Sequence, residues 1–86
     1  MKIKDGYIVR EVAGTTVVLP TGDDLDLTKM IKLNDTGKFL WQELQQDTDE
    51  DRLVAALLRE YSVDEATARA GVQRFVNKLK DNGLLI

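Results

Sequence analysis

The spacing of apolar residues in the first third of the chain predicts a small β-sheet. Two β-rich runs, residues 7–12 and 15–19, are separated only by Ala13-Gly14, which predicts a hairpin. A turn rich in proline, glycine and aspartate follows at residues 20–24. Apolar residues then alternate with polar ones, and this pattern predicts a third strand over about residues 26–33.

After residue 33 the apolar residues recur at a spacing of three and four, which is typical of helices. Asn34 or Asp35 caps a first predicted helix. Thr48, with Asp51 three residues later, resembles a capping box at the start of a second helix. The inward face of that second helix is predicted to consist of Leu53, Val54, Leu57, Leu58 and Tyr61.

A third and longer helix is predicted between Asp64, which caps its start, and Gly83, which supplies a left-handed residue at its end. Its apolar face carries Ala68, Val72, Phe75, Val76 and Leu79. The whole pattern predicts an α+β fold, in which a three-stranded antiparallel sheet is followed by a three-helix bundle, similar to a winged-helix domain. A chain of 86 residues is expected to form one domain over residues 1–86.

The composition excludes several classes of function. Cysteine and histidine are both absent, which removes thiolate nucleophiles, imidazole bases, disulfides and most metal ligands. No nucleophile–base pair stands out, so we expect no catalytic residues, no metal and no cofactor. The net charge of −3 argues against nucleic acid as the partner. Without an apolar run of about 20 residues or a signal peptide, the chain is expected in the cytoplasm and not in a membrane.

Three landmarks give the chain a resemblance to a known family. Residues 31–41 read Ile-Lys-Leu-Asn-Asp-Thr-Gly-Lys-Phe-Leu-Trp, residues 61–65 read Tyr-Ser-Val-Asp-Glu, and residues 72–85 hold Val, Phe and Leu at helical spacing before Asn-Gly-Leu-Leu. In order and spacing these landmarks resemble the PqqD-like family, whose small domains bind the leader peptides of ribosomally made, later modified peptides. One departure is Gly71, at a position where family members often carry an acidic residue.

The resemblance implies a non-catalytic adaptor for natural-product biosynthesis. In this family the leader of a precursor peptide adds as an extra strand beside the third strand, against the third helix. The adaptor then presents the precursor to a modifying enzyme, such as a radical SAM protein or a leader peptidase. Two alternatives remain open from the sequence, a winged-helix DNA-binding regulator and an adaptor for another protein partner.

The expected peptide-binding residues come from the third strand and the third helix. Around Val72, about 100° per residue puts Arg69, Gln73, Val76 and Lys80 at one semi-apolar, basic margin of the helix. Such a margin suits a leader that contains acidic and apolar residues. The sequence leaves open which margin of the helix faces the strand. The expected contacts are Leu27, Lys29, Met30 and Ile31 of the strand and Arg69, Val72, Gln73, Val76 and Lys80 of the helix.

Overall fold

The computed structural model describes residues 1–21 and 30–86, and it shows three antiparallel strands followed by three helices. This confirms the predicted α+β fold. Each predicted strand and helix in these ranges is present, although some bounds differ. The elements are β1 Tyr7–Val12, β2 Thr15–Pro20, β3 Ile31–Leu33, α1 Asp35–Glu43, α2 Glu50–Glu60 and α3 Glu65–Asp81.

The sheet has the order β1-β2-β3. Ala13 and Gly14 both have positive φ values, 52° and 80°, which is the backbone that a two-residue type I′ hairpin turn requires. β3 pairs with β2 through Thr16↔Leu33 and Val18↔Ile31, so it lies at the edge of the sheet. The predicted third strand began at residue 26. Its described part is Ile31–Leu33, and residues 22–29 lie outside the described ranges.

The first two helices begin at capping side chains. The side-chain oxygen of Asn34 accepts a hydrogen bond from the N–H of Gly37 at 2.8 Å, which confirms one of the two predicted caps. The predicted cap of α2 at Thr48 is wrong, because Asp49 accepts from the N–H of Arg52 at 2.8 Å instead. Thr48 has another role, since its N–H donates to the carbonyl of Met1 at 2.9 Å.

α3 begins and ends as its sequence predicts. Asp64 accepts a hydrogen bond from the N–H of Thr67 at 2.7 Å. At the other end Gly83 has a φ of 72°, and its N–H donates to the carbonyl of Lys80 at 3.0 Å. The N–H of Leu84 donates to the carbonyl of Leu79 at 2.9 Å, which completes a Schellman motif. Leu84 thereby turns back and becomes part of the core.

One core joins the sheet, the helices and both ends of the chain. The N–H of Ile3 donates to the carbonyl of Leu44 at 3.0 Å, and Ile3 forms a bridge with Leu85. Leu58 was predicted to face inward, but it is 40% exposed. The buried residues of α2 are Leu53, Val54, Ala56 and Leu57, and at about 100° per residue Leu58 lies beyond the margin of the face that they form. None of the helices in residues 1–21 and 30–86 is long and apolar enough to cross a membrane. The core includes Ile3, Val18, Ile31, Leu33, Leu40, Trp41, Leu44, Leu53, Val54, Leu57, Ala68, Val72, Val76, Leu79 and Leu84.

Candidate functional site

A groove of about 560 Å³ opens between the end of β3, the start of α1 and one side of α3. This volume lies within the range of about 300–1,000 Å³ that is usual for ligand sites. We call this cavity the groove. Its lining residues are Lys32, Leu33, Asn34, Thr36, Gly37, Leu40, Leu57, Tyr61, Val63, Thr67, Ala68, Gly71, Arg74, Phe75 and Lys78.

The floor of the groove is apolar. Leu33, Leu40 and Ala68 belong to the core, while Tyr61 and Phe75 are only partly buried and present ring surface at its walls. Val63, at the mouth, is 41% exposed. An exposed apolar side chain beside two partly covered rings is a surface that gains free energy when apolar side chains cover it.

The rim of the groove is positively charged. Lys32, Arg74 and Lys78 are exposed, and none of the lining residues in the described ranges carries a carboxylate. The full chain has a net charge of −3, so this cationic rim differs in sign from the molecule as a whole. Such a rim attracts acidic ligands and repels basic ones.

β3 gives the groove one wall with unpaired main-chain groups. It pairs with β2 on one side, and within residues 1–21 and 30–86 no strand pairs with its other side. Successive residues of an antiparallel strand direct their N–H and C=O groups to opposite edges, so part of β3 points away from β2. An exposed edge of this kind is a template for an added strand.

Gly37 lets α1 approach the groove wall closely. A Cβ at this position would lie 3.0 Å from Oδ1 of Asn34 and 3.3 Å from Cε1 of Phe75. Any larger side chain would therefore push against both the α1 cap and the ring that forms the wall. Gly37, which belongs to the landmark at residues 31–41, thus leaves the space in which Phe75 of α3 lies against the start of α1.

The strand residues of the predicted site have different positions. Met30 is 38% exposed just before β3, whereas the side chain of Ile31 is only 4% exposed and packs in the core. The main chain of Ile31 faces Val18 of β2, so within β3 it is Lys32 whose main-chain groups point away from β2. Binding of a peptide by Met30 and Ile31 stays a prediction. Leu27 and Lys29 lie outside the described residues.

The helix residues of the predicted site lie away from the groove. Val72 and Val76 are fully buried (0% exposed), so neither presents side-chain surface to a partner. Arg69 instead contacts carboxylates, at 3.1 Å from Asp51 and 3.4 Å from Glu65. These two hydrogen-bonded carboxylates raise the pKa of Arg69 above its ordinary value. Binding of a peptide by Arg69, Val72, Gln73, Val76 and Lys80 stays a prediction.

The side of α3 that lines the groove was missed by sequence reasoning. We call Thr67, Gly71, Arg74 and Lys78 the groove flank, and Arg69, Gln73 and Lys80 the opposite flank. The spacing of three and four residues already puts each set on one side of a helix. Only the packing of α3 against the rest of the molecule shows which set borders β3.

Comparison with known proteins agrees with this architecture. No curated protein matches the chain. Among solved structures it is similar to TbiB1 in complex with the TbiA(beta) leader peptide, with 27% identity, a TM-score of 0.75 and coverage of 99% of this chain and 94% of that one. It also shares its fold with lasso peptide synthetase B1 complexed with the leader peptide, at 24% identity, a TM-score of 0.72 and coverage of 96% and 93%. The family described as coenzyme PQQ synthesis protein D (PqqD) matches residues 15–85, and the chain belongs to this PqqD family.

Proposed function

We propose that this chain is a peptide-binding adaptor that holds the leader of a ribosomally made precursor peptide. The observation that carries the proposal is the edge of β3 that no described strand covers, beside an apolar groove with a cationic rim. The likeness to TbiB1, which was solved with a leader peptide, supports the same role. No chemistry at the groove is needed for this function, because binding alone brings a precursor to an enzyme.

The leader binds by adding a strand to β3. Main-chain hydrogen bonds along the free edge of β3 set the register, while side chains on one face of the added strand enter the groove. In an extended strand alternate residues share a face, so the groove contacts every second side chain of the peptide. Residues on the other face stay accessible to further partners.

On the strand side, the proposed contacts are Met30 and the main chain of Lys32, together with Leu27, Lys29 and Ile31 as the family resemblance implies. On the helix side, we propose the groove flank, in particular Gly71, Arg74 and Lys78, with Phe75 forming the wall. Val72 and Val76 hold α3 in place from beneath. These residues have the basic and apolar character that was expected of the site, but they lie on the other side of α3.

The adaptor raises the effective concentration of the precursor at the modifying enzyme and orients it there. A precursor held by its leader is presented to a modifying enzyme at a high effective concentration, which accelerates modification without new contacts at the reacting bond. The enzyme of such a system is a radical SAM protein or a leader peptidase. We propose that the chain itself is not an enzyme, because the groove brings together apolar, amide and cationic groups and no pair suited to proton transfer or nucleophilic attack.

An amide NMR titration tests this function. The labelled protein is titrated with the TbiA(beta) leader peptide and with synthetic leaders encoded by small open reading frames beside the gene, each next to a scrambled control. We expect shifts concentrated at residues 30–34 and at Thr67, Gly71, Arg74, Phe75 and Lys78, with little change in β1. Shifts confined to the opposite flank or to β1 would contradict the proposed site, and no shift with any leader would contradict the function.

A further inference from the structure

Gly71 occupies a position in α3 that the fold gives no reason to leave without a side chain. Glycine is among the weakest helix formers, because it loses the most backbone freedom on folding. Gly71 has no left-handed φ, and no heavy atom of the described residues outside its local helix backbone lies within 4 Å of a Cβ built there. Gly37 is the contrasting case, since a Cβ there would lie 3.0 Å from its nearest neighbour.

The missing side chain creates a notch in the wall of the groove. Thr67 and Ala68 lie one turn before Gly71, and Arg74 and Phe75 lie one turn after it, so all five residues share one side of α3. All of them line the groove. The notch is therefore bordered by a ring at one end and continues into the apolar floor. Its open space belongs to the binding surface and not to the core.

The side chains next to the notch on the groove flank are positively charged. Arg74 and Lys78 follow Gly71 along the same flank, and neither forms an ion pair with any residue that the structure describes. On the opposite flank, Arg69 is already held by Asp51 and Glu65. The positive charge of the groove flank is thus directed at solvent, where an incoming carboxylate can reach it.

We propose that Gly71 is a specificity-determining position, whose notch takes a bulky apolar side chain of the bound peptide while Arg74 and Lys78 bind a carboxylate beside it. This inference rests on the proposed function and adds the chemistry of the peptide. One turn of α3 advances about 5.4 Å, and two residues of a strand advance about 6.6 Å. For an added strand that runs along α3, the acidic residue is therefore expected two positions from the bulky one.

Selection from a displayed library of random decapeptides tests the inference, and it does not require that the leader be identified. Four proteins are used: the unchanged chain, Gly71→Leu, Ala70→Leu and the double variant Arg74→Glu with Lys78→Glu. Ala70 is exposed on α3 and does not line the groove, so it is the matched control for an added leucine. Thermal melts of all four accompany the selection, and Gly71→Leu is expected to melt no lower than the unchanged chain.

The unchanged chain and Ala70→Leu should enrich peptides with an aromatic or large aliphatic residue two positions from Asp or Glu. Gly71→Leu should lose affinity for these peptides by about tenfold or more and should enrich small residues at the bulky position, while keeping the acidic preference. The double variant should replace the acidic preference with a basic one. If Gly71→Leu enriches the same bulky residues, the inference is overturned while the proposed function stands. If the unchanged chain enriches no peptide, the proposed function fails as well.

Discussion

The two flanks of α3 carry similar residues but have different surroundings. Arg69 on the opposite flank lies 3.1 Å from Asp51 of α2 and 3.4 Å from Glu65 one turn earlier on its own helix. Arg74 and Lys78 on the groove flank border a cavity with no described carboxylate in its lining. Between the flanks, Val72 and Val76 are fully buried. Basic residues on one helix therefore have separate roles, which depend on the elements packed beside each flank.

This comparison separates stability from binding within one helix. The buried ridge of Val72 and Val76 holds α3 in the core, the opposite flank carries an ion pair to α2, and the groove flank leaves its charges directed at solvent. A change in the ridge should therefore affect folding first. A change on the groove flank should affect binding and leave folding nearly unchanged.

The largest expected effect comes from a charge placed in the ridge. Val76→Asp buries a carboxylate in a site that is 0% exposed, so we expect the free energy of unfolding to fall by about 3–5 kcal/mol. Gln73→Asp is the control, because position 73 is exposed on the same helix and should change stability by about 0.5 kcal/mol or less. Urea unfolding followed by circular dichroism measures both. Equal stability of the two variants would show that Val76 does not anchor α3 in the core.

A smaller effect is expected from reversing one charge on each flank. Lys78 and Lys80 are both exposed in the last turn of α3, but only Lys78 lines the groove. Lys78→Glu should weaken binding of an acidic peptide by roughly fivefold, since an attraction becomes a repulsion at a solvent-exposed site. Lys80→Glu changes the net charge equally and should alter binding little.

Isothermal titration calorimetry at two salt concentrations measures this difference. At high salt, screening of the charges should reduce the difference in peptide affinity between Lys78→Glu and Lys80→Glu. Equal losses for Lys78→Glu and Lys80→Glu would mean that the peptide responds to net charge and not to the groove flank.

The smallest expected effect concerns the start of α3, where the first turns carry Thr67 on the groove flank and Arg69 on the opposite flank. The N–H of Thr67 donates to the carboxylate of Asp64 and lowers the pKa of Asp64 below its ordinary value of 3.8. A carboxyl whose folded-state pKa is lowered stabilises the fold above its unfolded pKa. That contribution disappears as the pH falls through the lower folded value.

We therefore expect a slight loss of thermal stability specific to Asp64 below about pH 4. Asp64→Asn keeps an oxygen at the cap but does not titrate, so its melting temperature should depend less on pH in this range. Melting curves from about pH 6 to about pH 2 compare the two proteins. Identical pH profiles would show that the ionised form of Asp64 does not stabilise α3.

Local signals in the sequence were sufficient to predict most of the secondary structure. Ala13-Gly14, Asn34, Asp64 and Gly83 each act through their own backbone or a side chain that reaches only three residues along the chain. The cap of α2 was predicted one residue too early. Asp49 is a better capping residue than Thr48, and its carboxylate is the group that accepts from the N–H of Arg52.

The candidate site could be predicted only in part. The third strand, the third helix and the mixture of apolar and basic residues followed from the pattern and from the family landmarks. The choice of Arg69, Gln73 and Lys80 did not match the side of α3 that borders the groove. Both margins of the helix are basic, so composition gave no reason to prefer the groove flank.

Four features follow from the amino-acid sequence alone: the order of the strands and helices, most of their caps, the apolar ridge of α3 and the membership of the PqqD family. These features depend on residues near one another in the chain, or on periods that repeat along it. Which flank of α3 borders the groove and which faces Asp51 of α2 depends on long-range packing. A helix presents several faces at once, and the elements packed around it select the face that borders the groove.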